Sequence, residues 1–199
     1  MTDLYDTDRT VREEGFALFC GVDEAGRGPL AGPVCAAAVI LPPELRIPGL
    51  NDSKKLSEAK REALYEVIVG GAIAYGIAFA TVAEIEERNI LGATYLAMNR
   101  AIAQLSPAPG LALIDGNQMK GIDLPCRALV HGDSLSASVA AASILAKVTR
   151  DRLMLQLAEQ YPQYGFERHK GYGTAAHYAA LKEFGPCPEH RKMFLCKLY

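Results

Sequence analysis

Five short runs of small and β-branched residues, at 17–22, 34–41, 72–81, 111–114 and 128–130, are spread along this chain, and segments with helical spacing lie between most of them. Runs of this length and composition read as strands. A chain in which strand and helix recur folds as helices around a central sheet, so the fold class read from the residues is a mixed α/β domain. At 199 residues, half of them hydrophobic, the chain can bury one sizeable core, and one domain with a small C-terminal appendage is expected.

The helical segments carry their own punctuation. Ser57 precedes a stretch with Ala63, Leu64, Val67 and Ile68 at helical spacing and is a plausible N-cap, with Gly70 or Gly71 as the stop. Residues 83–105 read as one or two helices, interrupted near Asn89 and Gly92. Residues 136–161 have high helix propensity throughout and predict a long helix, and a further helix is expected over 175–184.

No stretch approaches the roughly 18 to 20 apolar residues of a membrane span, and the opening segment MTDLYDTDRTVREEG is acidic and polar where a signal peptide is basic and then apolar. A cytoplasmic protein with no membrane partner is expected, with a monomer as the default. The five cysteines form no CxxC pair and are odd in number, which favours buried thiols over disulfides or zinc ligands. With 21 Lys and Arg against 23 Asp and Glu, any surface for a polyanion must be a local patch.

Chemistry is suggested where the apolar runs end. Asp23 and Glu24 follow directly on the first, Asp115 closes the fourth, and Asp133 stands just after the fifth. Each has a plainer explanation: a strand reaching solvent for the first pair, a turn for Asp115 before Gly116 and Asn117, a helix cap for Asp133. Three segments that each present a carboxylate at a strand end nevertheless suit hard divalent cations, which take oxygen ligands. Two such ions roughly 3.5 to 4 Å apart hold the attacking water and the leaving oxygen of a phosphoryl displacement.

Gly26, Arg27 and Gly28 lie beside the first acids, and two glycines around an arginine let backbone and guanidinium approach an anion. The segment is neither a Walker A loop nor a dinucleotide fingerprint. Lys54, Lys55, Lys147, Arg150 and Arg152, and Arg168 to Lys170, supply local positive charge or simply solvate a face. Tyr172, between two glycines, either stacks on a sugar or base or belongs to a satellite core.

The segments DEAGRGPLAGPV at 23–34, NDSKKLS at 51–57, LIDGN at 113–117, GDSLSASVAAASILAKVTRDR at 132–152 and HKGYGT at 169–174 together resemble bacterial ribonuclease HII, the type 2 ribonuclease H. The resemblance runs from about Phe19 to Thr174, leaving the leader and the residues from about Gly185 without a functional reading. It implies an RNase H-like fold over a single catalytic domain, and endonucleolytic cleavage of the RNA strand of RNA/DNA hybrids and of single ribonucleotides in duplex DNA. The cut would fall 5′ to the ribonucleotide, leaving 3′-hydroxyl and 5′-phosphate ends.

By motif match, Asp23, Glu24, Asp115 and Asp133 would be the catalytic and metal-binding carboxylates, with Mg2+ or Mn2+. Gly26, Arg27 and Gly28 would read the ribose 2′-OH and its phosphate. Tyr172 would pack on the adjoining sugar, and Lys54, Lys55, Lys147 and Arg150 would contact phosphates. Two other classes compete: a silent nucleic-acid-binding module, and a metal-dependent phosphatase for small substrates.

Overall fold

The segment VCAAAVI has no polar residue to offer solvent, and in the computed structural model it is a strand buried on both faces. The structure describes residues 3–117 and 119–196. This strand, β2 (Val34–Ile40), pairs antiparallel with β1 (Cys20–Ala25) and with β3 (Ala74–Ala80). On the far side of β1, β4 (Ala112–Asp115) and β5 (Cys126–Leu129) run parallel, giving the order β3-β2-β1-β4-β5. The sheet is therefore mixed, with β1 at its centre.

Side-chain alternation along the strands divides the core into layers. Val34, Ala36, Ala38 and Ile40 of β2, Cys20 and Val22 of β1, and Ala112 and Ile114 of β4 pack with Ile85, Ala93, Ala97, Met98 and Ala101 of helix α3 (Val82–Ile102). Cys35, Ala37 and Val39 face the opposite side, with Leu64 and Ile68 of α2 (Glu58–Gly71) and the alanine-rich start of α4 (Ala137–Gln160). Small residues on α4 let it lie close against the sheet. A Cβ on Gly21 of β1 would overlap the backbone of Ser138 and Val139.

Local chemistry accounts for the helix ends. Ser57 accepts from Lys60 N–H, and Thr81 and Glu84 form a reciprocal capping box. Helix α3 is broken at Asn89, whose φ of 59° is non-helical; its side chain accepts from the N–H groups of Leu91 and Gly92 and so restarts the helix. Ser136, not Asp133, caps α4, accepting from Val139 N–H.

The polar leader forms α1 (Asp6–Glu13), and its buried Asp8 accepts from Ser136 Oγ, Ser138 N–H and Ser138 Oγ at 2.5, 3.0 and 2.6 Å. The start of α4 is thus fixed by a residue some 130 positions upstream. After α4 come the short α5 (Phe166–His169), then α6 (Ala175–Phe184) and α7 (Lys192–Leu195). Leu181 and Leu195 pack with Leu30, Ala31, Met154 and Phe166, so this region folds back onto the loop between β1 and β2.

Three sequence expectations need adjustment. Strand β1 extends to Ala25, so Asp23 and Glu24 lie within it; pairing with β2 carries the strand past the apolar run. The run at 72–81 forms an edge strand with alternating burial and an exposed Tyr75, because only one side of it has a partner strand. The last run begins earlier, at Cys126, where pairing with Ala112 starts. Cys20 and Cys35 are buried free thiols, as expected.

Because α4 has no room to accept a methyl group at Gly21, Gly21→Ala should destabilise the protein by at least about 1–3 kcal/mol. Urea unfolding measures this, and an unchanged midpoint would mean that α4 can retreat freely.

Candidate active site

Strand parity decides which acids meet. Asp23 shares a face with Gly21, and that face lies against α4. Asp115 shares a face with Leu113, which packs with Val139 of α4. Because Val22 pairs with Ile114 in parallel register, the two carboxylates become neighbours at the ends of adjacent strands. Asp133 approaches from a 3-10 turn, Gly132–Ser134, that precedes α4. Gly132 N–H donates to Asp115 Oδ1 at 2.7 Å and ties that turn to β4. One oxygen from each of Asp23, Asp115 and Asp133 lies within 4.8 Å of the other two.

Bringing three acids together in a largely buried place is electrostatically unfavourable in the absence of a cation. Asp23 is only 3% exposed. Burial, then the charges of Glu24 and Asp115, push its pKa well above the usual carboxylate range, against hydrogen bonds from Ser143 and from Glu24 N–H. Asp133 is raised by burial, then by Asp115 and Asp52, while the exposed Lys54 ammonium at 3.5 Å opposes the shift. This is the one ion pair made by the three acids among the described residues. An all-oxygen, triply anionic donor set fits a hard divalent cation such as Mg2+ or Mn2+.

Glu24 points to the other face of β1, as alternation requires, and stands outside this triad. Burial raises its pKa, although Arg27 at 3.4 Å favours the charged form. With Arg27, Asp115, Asn117 and Tyr95 it lines a cavity of about 110 Å3. The buried Tyr95 hydroxyl has no hydrogen-bond partner among the described residues. Asp115 lines this cavity too, so it links the triad to Glu24.

Beyond β1 the chain turns through Gly26, Arg27 and Gly28. Gly26 has φ +99°, and a Cβ there would overlap the Arg150 side chain, so no other residue fits without rearrangement. Tyr172 is 44% exposed, and its ring edge lies 3.8 Å from where a Cβ on Gly28 would stand. The GRG turn and the exposed tyrosine therefore adjoin one another.

The ribonuclease HII family model matches residues 20–197. A ribonuclease HII of Dechloromonas aromatica is 62% identical over 177 residues, covering 89% of this chain and 90% of that one. One from a Geobacillus species is 56% identical over 187 residues, covering 94% of this chain and 67% of that one. Among solved structures, the ribonuclease H2 of Pyrococcus horikoshii superposes with a TM-score of 0.76 at 27% identity, covering 90% of this chain and 96% of that one. The chain belongs to the ribonuclease HII family. It is an endoribonuclease of RNA/DNA hybrids on an RNase H-like fold, with an aspartate triad suited to metal-dependent catalysis.

Within this ribonuclease HII the basic residues divide sharply. Lys54 and Lys55 are exposed near Asp133 and Ser134, with Lys55 Nζ donating to Ser134 Oγ at 3.3 Å. Lys147 is largely covered and binds Asp151 at 2.8 Å, one helical turn on. Arg150 corrects the sequence reading. It is 1% exposed, and its guanidinium donates to the carbonyls of Pro33, Ala31 and Lys170, which leaves it no surface for a phosphate.

The sequence reading also missed Asp52, a buried acid whose charge helps to raise the Asp133 pKa, and Arg191, which is fully buried. Neither carries a pattern of its own: Asp52 is one polar residue in a polar stretch, and Arg191 lies in a charged segment that reads as solvated.

The raised pKa of Asp23 has a definite sign. Unfolded, the group titrates near about 3.9; folded, it holds its proton to higher pH, so stability falls as pH rises from about 4 through the raised value. In EDTA at mildly alkaline pH, Asp23→Asn should therefore melt above the wild type, and acidification to about pH 4 should close the gap. Added Mg2+ should stabilise the wild type more than the variant. Thermal melts check all three, and a variant that melts below the wild type in alkaline EDTA would contradict this electrostatic account.

Proposed function

We propose that this enzyme cuts on the 5′ side of ribonucleotides embedded in duplex DNA, as well as in RNA/DNA hybrids, using two divalent cations, Mg2+ or Mn2+, and leaving 3′-hydroxyl and 5′-phosphate ends. Removal of misincorporated ribonucleotides from DNA in the cytoplasm, by a monomer, is the role that follows. The observation that carries the reading is the convergence of Asp23, Asp115 and Asp133 within 4.8 Å, one strand end away from the GRG turn and Tyr172.

Asp23, Asp115 and Asp133 would hold the cations, with Glu24 contributing from the adjoining cavity. When bound, the ions supply an activated water and neutralise charge on the phosphoryl oxygens. The protein's own groups position the substrate. Lys54 and Lys55, exposed beside the acids, suit phosphate contacts that favour binding without reading sequence. Backbone groups of Gly26, Arg27 and Gly28 suit the ribose 2′-OH and its phosphate, since the 2′-OH is what separates RNA from DNA. Tyr172, exposed next to Gly28, suits the neighbouring sugar.

A labelled DNA duplex with one ribonucleotide tests the reading. A single cut 5′ to the ribonucleotide is expected in Mg2+ or Mn2+, none in EDTA or on all-DNA duplex, and at least about a 10²-fold loss of turnover in Asp23→Asn with binding retained. Tight hybrid binding without cleavage would favour the silent binding module instead.

The division of the basic residues gives a second test. Lys54→Ala should reduce the slope of log affinity against log salt by about 1. Arg150→Met should leave the slope unchanged and lower stability, because three carbonyls lose their donor, two of these bonds being fully buried. Salt titrations of hybrid binding, with urea unfolding alongside, measure both, and a changed slope for Arg150→Met would restore that residue to the phosphate surface.

A further inference from the structure

The dipeptide His190-Arg191 bonds to both loops assigned above to the ribonucleotide. Arg191 is 0% exposed, and its guanidinium donates to four carbonyls of one turn: Nη2 to Gly26 at 2.6 Å, Nη1 to Arg27 at 3.0 Å and to Pro29 at 2.8 Å, and Nε to Gly32 at 2.9 Å. Backbone bonds reinforce the hold, with Arg191 N–H donating to Leu30 O and Gly32 N–H to Glu189 O, both at 2.8 Å.

A trans peptide is planar, and its N–H points opposite to its C=O. Turning the carbonyls of Gly26 and Arg27 inward to Arg191 turns the N–H groups of Arg27 and Gly28 outward. Neither N–H donates to a protein acceptor among the described residues. They are therefore free donors in the turn that Tyr172 adjoins at Gly28.

His190 reaches the second loop through a relay whose tautomers are fixed. Cys187 N–H donates to His190 Nδ1 at 3.0 Å, so the His190 proton is on Nε2. That proton goes to His177 Nε2 at 3.0 Å, which leaves the His177 proton on Nδ1, donated to the Tyr172 carbonyl at 2.9 Å. Burial, with His177 beside it, holds the His190 pKa down to about 4, so the relay is uncharged at neutral pH.

We propose that His190 and Arg191 are positioning residues for ribonucleotide recognition: Arg191 aims the Arg27 and Gly28 N–H groups at the substrate, and His190 sets Tyr172 opposite Gly28. The proposal rests on the reading that these two loops contact the ribonucleotide. It gives the C-terminal segment a part in the reaction without contact to substrate.

The test is steady-state cleavage of the single-ribonucleotide duplex by wild type, Arg191→Lys and Ile68→Ala, the last a core variant whose side chain lies in the cluster with α4 and β2. Lysine keeps the charge but cannot reach four carbonyls from one ammonium. Arg191→Lys should lose about 10- to 100-fold in kcat, with KM within about threefold and the Mg2+ requirement unchanged, because the lysine contacts and the acids remain. Ile68→Ala, compared at a temperature giving the same folded fraction, should keep its kcat.

A wild-type kcat for Arg191→Lys, or a loss no greater than that of Ile68→Ala, overturns the proposal alone. A wild-type protein that cuts hybrids and ignores the embedded ribonucleotide overturns the reading of the loops and the proposal with it. Should Arg191→Lys not fold, His190→Leu carries the same measurement, since leucine has no N–H to give His177 and leaves the Arg191 fork in place. About a tenfold loss of kcat is then expected, and a wild-type kcat overturns the proposal.

Discussion

The close contact between β1 and α4 is the constraint on which the rest of the structure depends. Gly21 lets the α4 backbone lie against the strand, and the same strand face then carries Asp23 toward the helix end where Asp133 enters. A larger residue at Gly21 would widen that spacing by the size of a methyl group. The 4.8 Å triad has no slack of that size, since a ligand set for a small hard cation must be held to tenths of an ångström. Asp8 reinforces the arrangement from outside by binding Ser136, the cap of α4, and Ser138 in its first turn.

This packing assembles an electrostatically strained site. Asp23 and Asp133 are both pushed toward their neutral forms by burial and by neighbouring acids, and the exposed Lys54 offsets only part of that. The fold holds the acids in place through backbone and packing rather than through their own pairing: Gly132 N–H fixes Asp115, Glu24 N–H fixes Asp23, and a Ser53–Ser143 hydrogen bond of 2.9 Å joins the turn before α2 to α4. Geometry held in this way is preorganised for a cation.

Much of this was legible in the sequence, and the parts that were not share a cause. Strand ends at Asp115 and near Asp133, the long helix after Ser136 and the break at Asn89 are local signals, written in apolar runs and caps. Parity along β1 was legible in principle and separates Asp23 from Glu24, but only once the strand was known to run through both. Arg150 was misread because helical spacing shows which residues share a face and not what lies opposite them. Carbonyls from residues 31, 33 and 170 lie opposite this one. Asp8 and Arg191 were invisible for the same reason, since their partners are 128 to 165 residues away.

The two buried arginines show how a loop with outward N–H groups is held in shape. Burying a guanidinium is costly, and Arg191 is held down to about 9 by burial and by Arg150, which still leaves it charged at neutral pH. A carboxylate partner would cancel that charge. Carbonyl partners satisfy the donors and leave the positive charge beneath the turn with no carboxylate in hydrogen-bond contact among the described residues. Two cations under a backbone whose outward N–H groups are free make that surface attractive to a phosphodiester without exposing an arginine to it. The same bonds that fix the shape of the GRG turn thus set its potential, and this links a segment near the chain's end to the chemistry of Asp23 near its beginning.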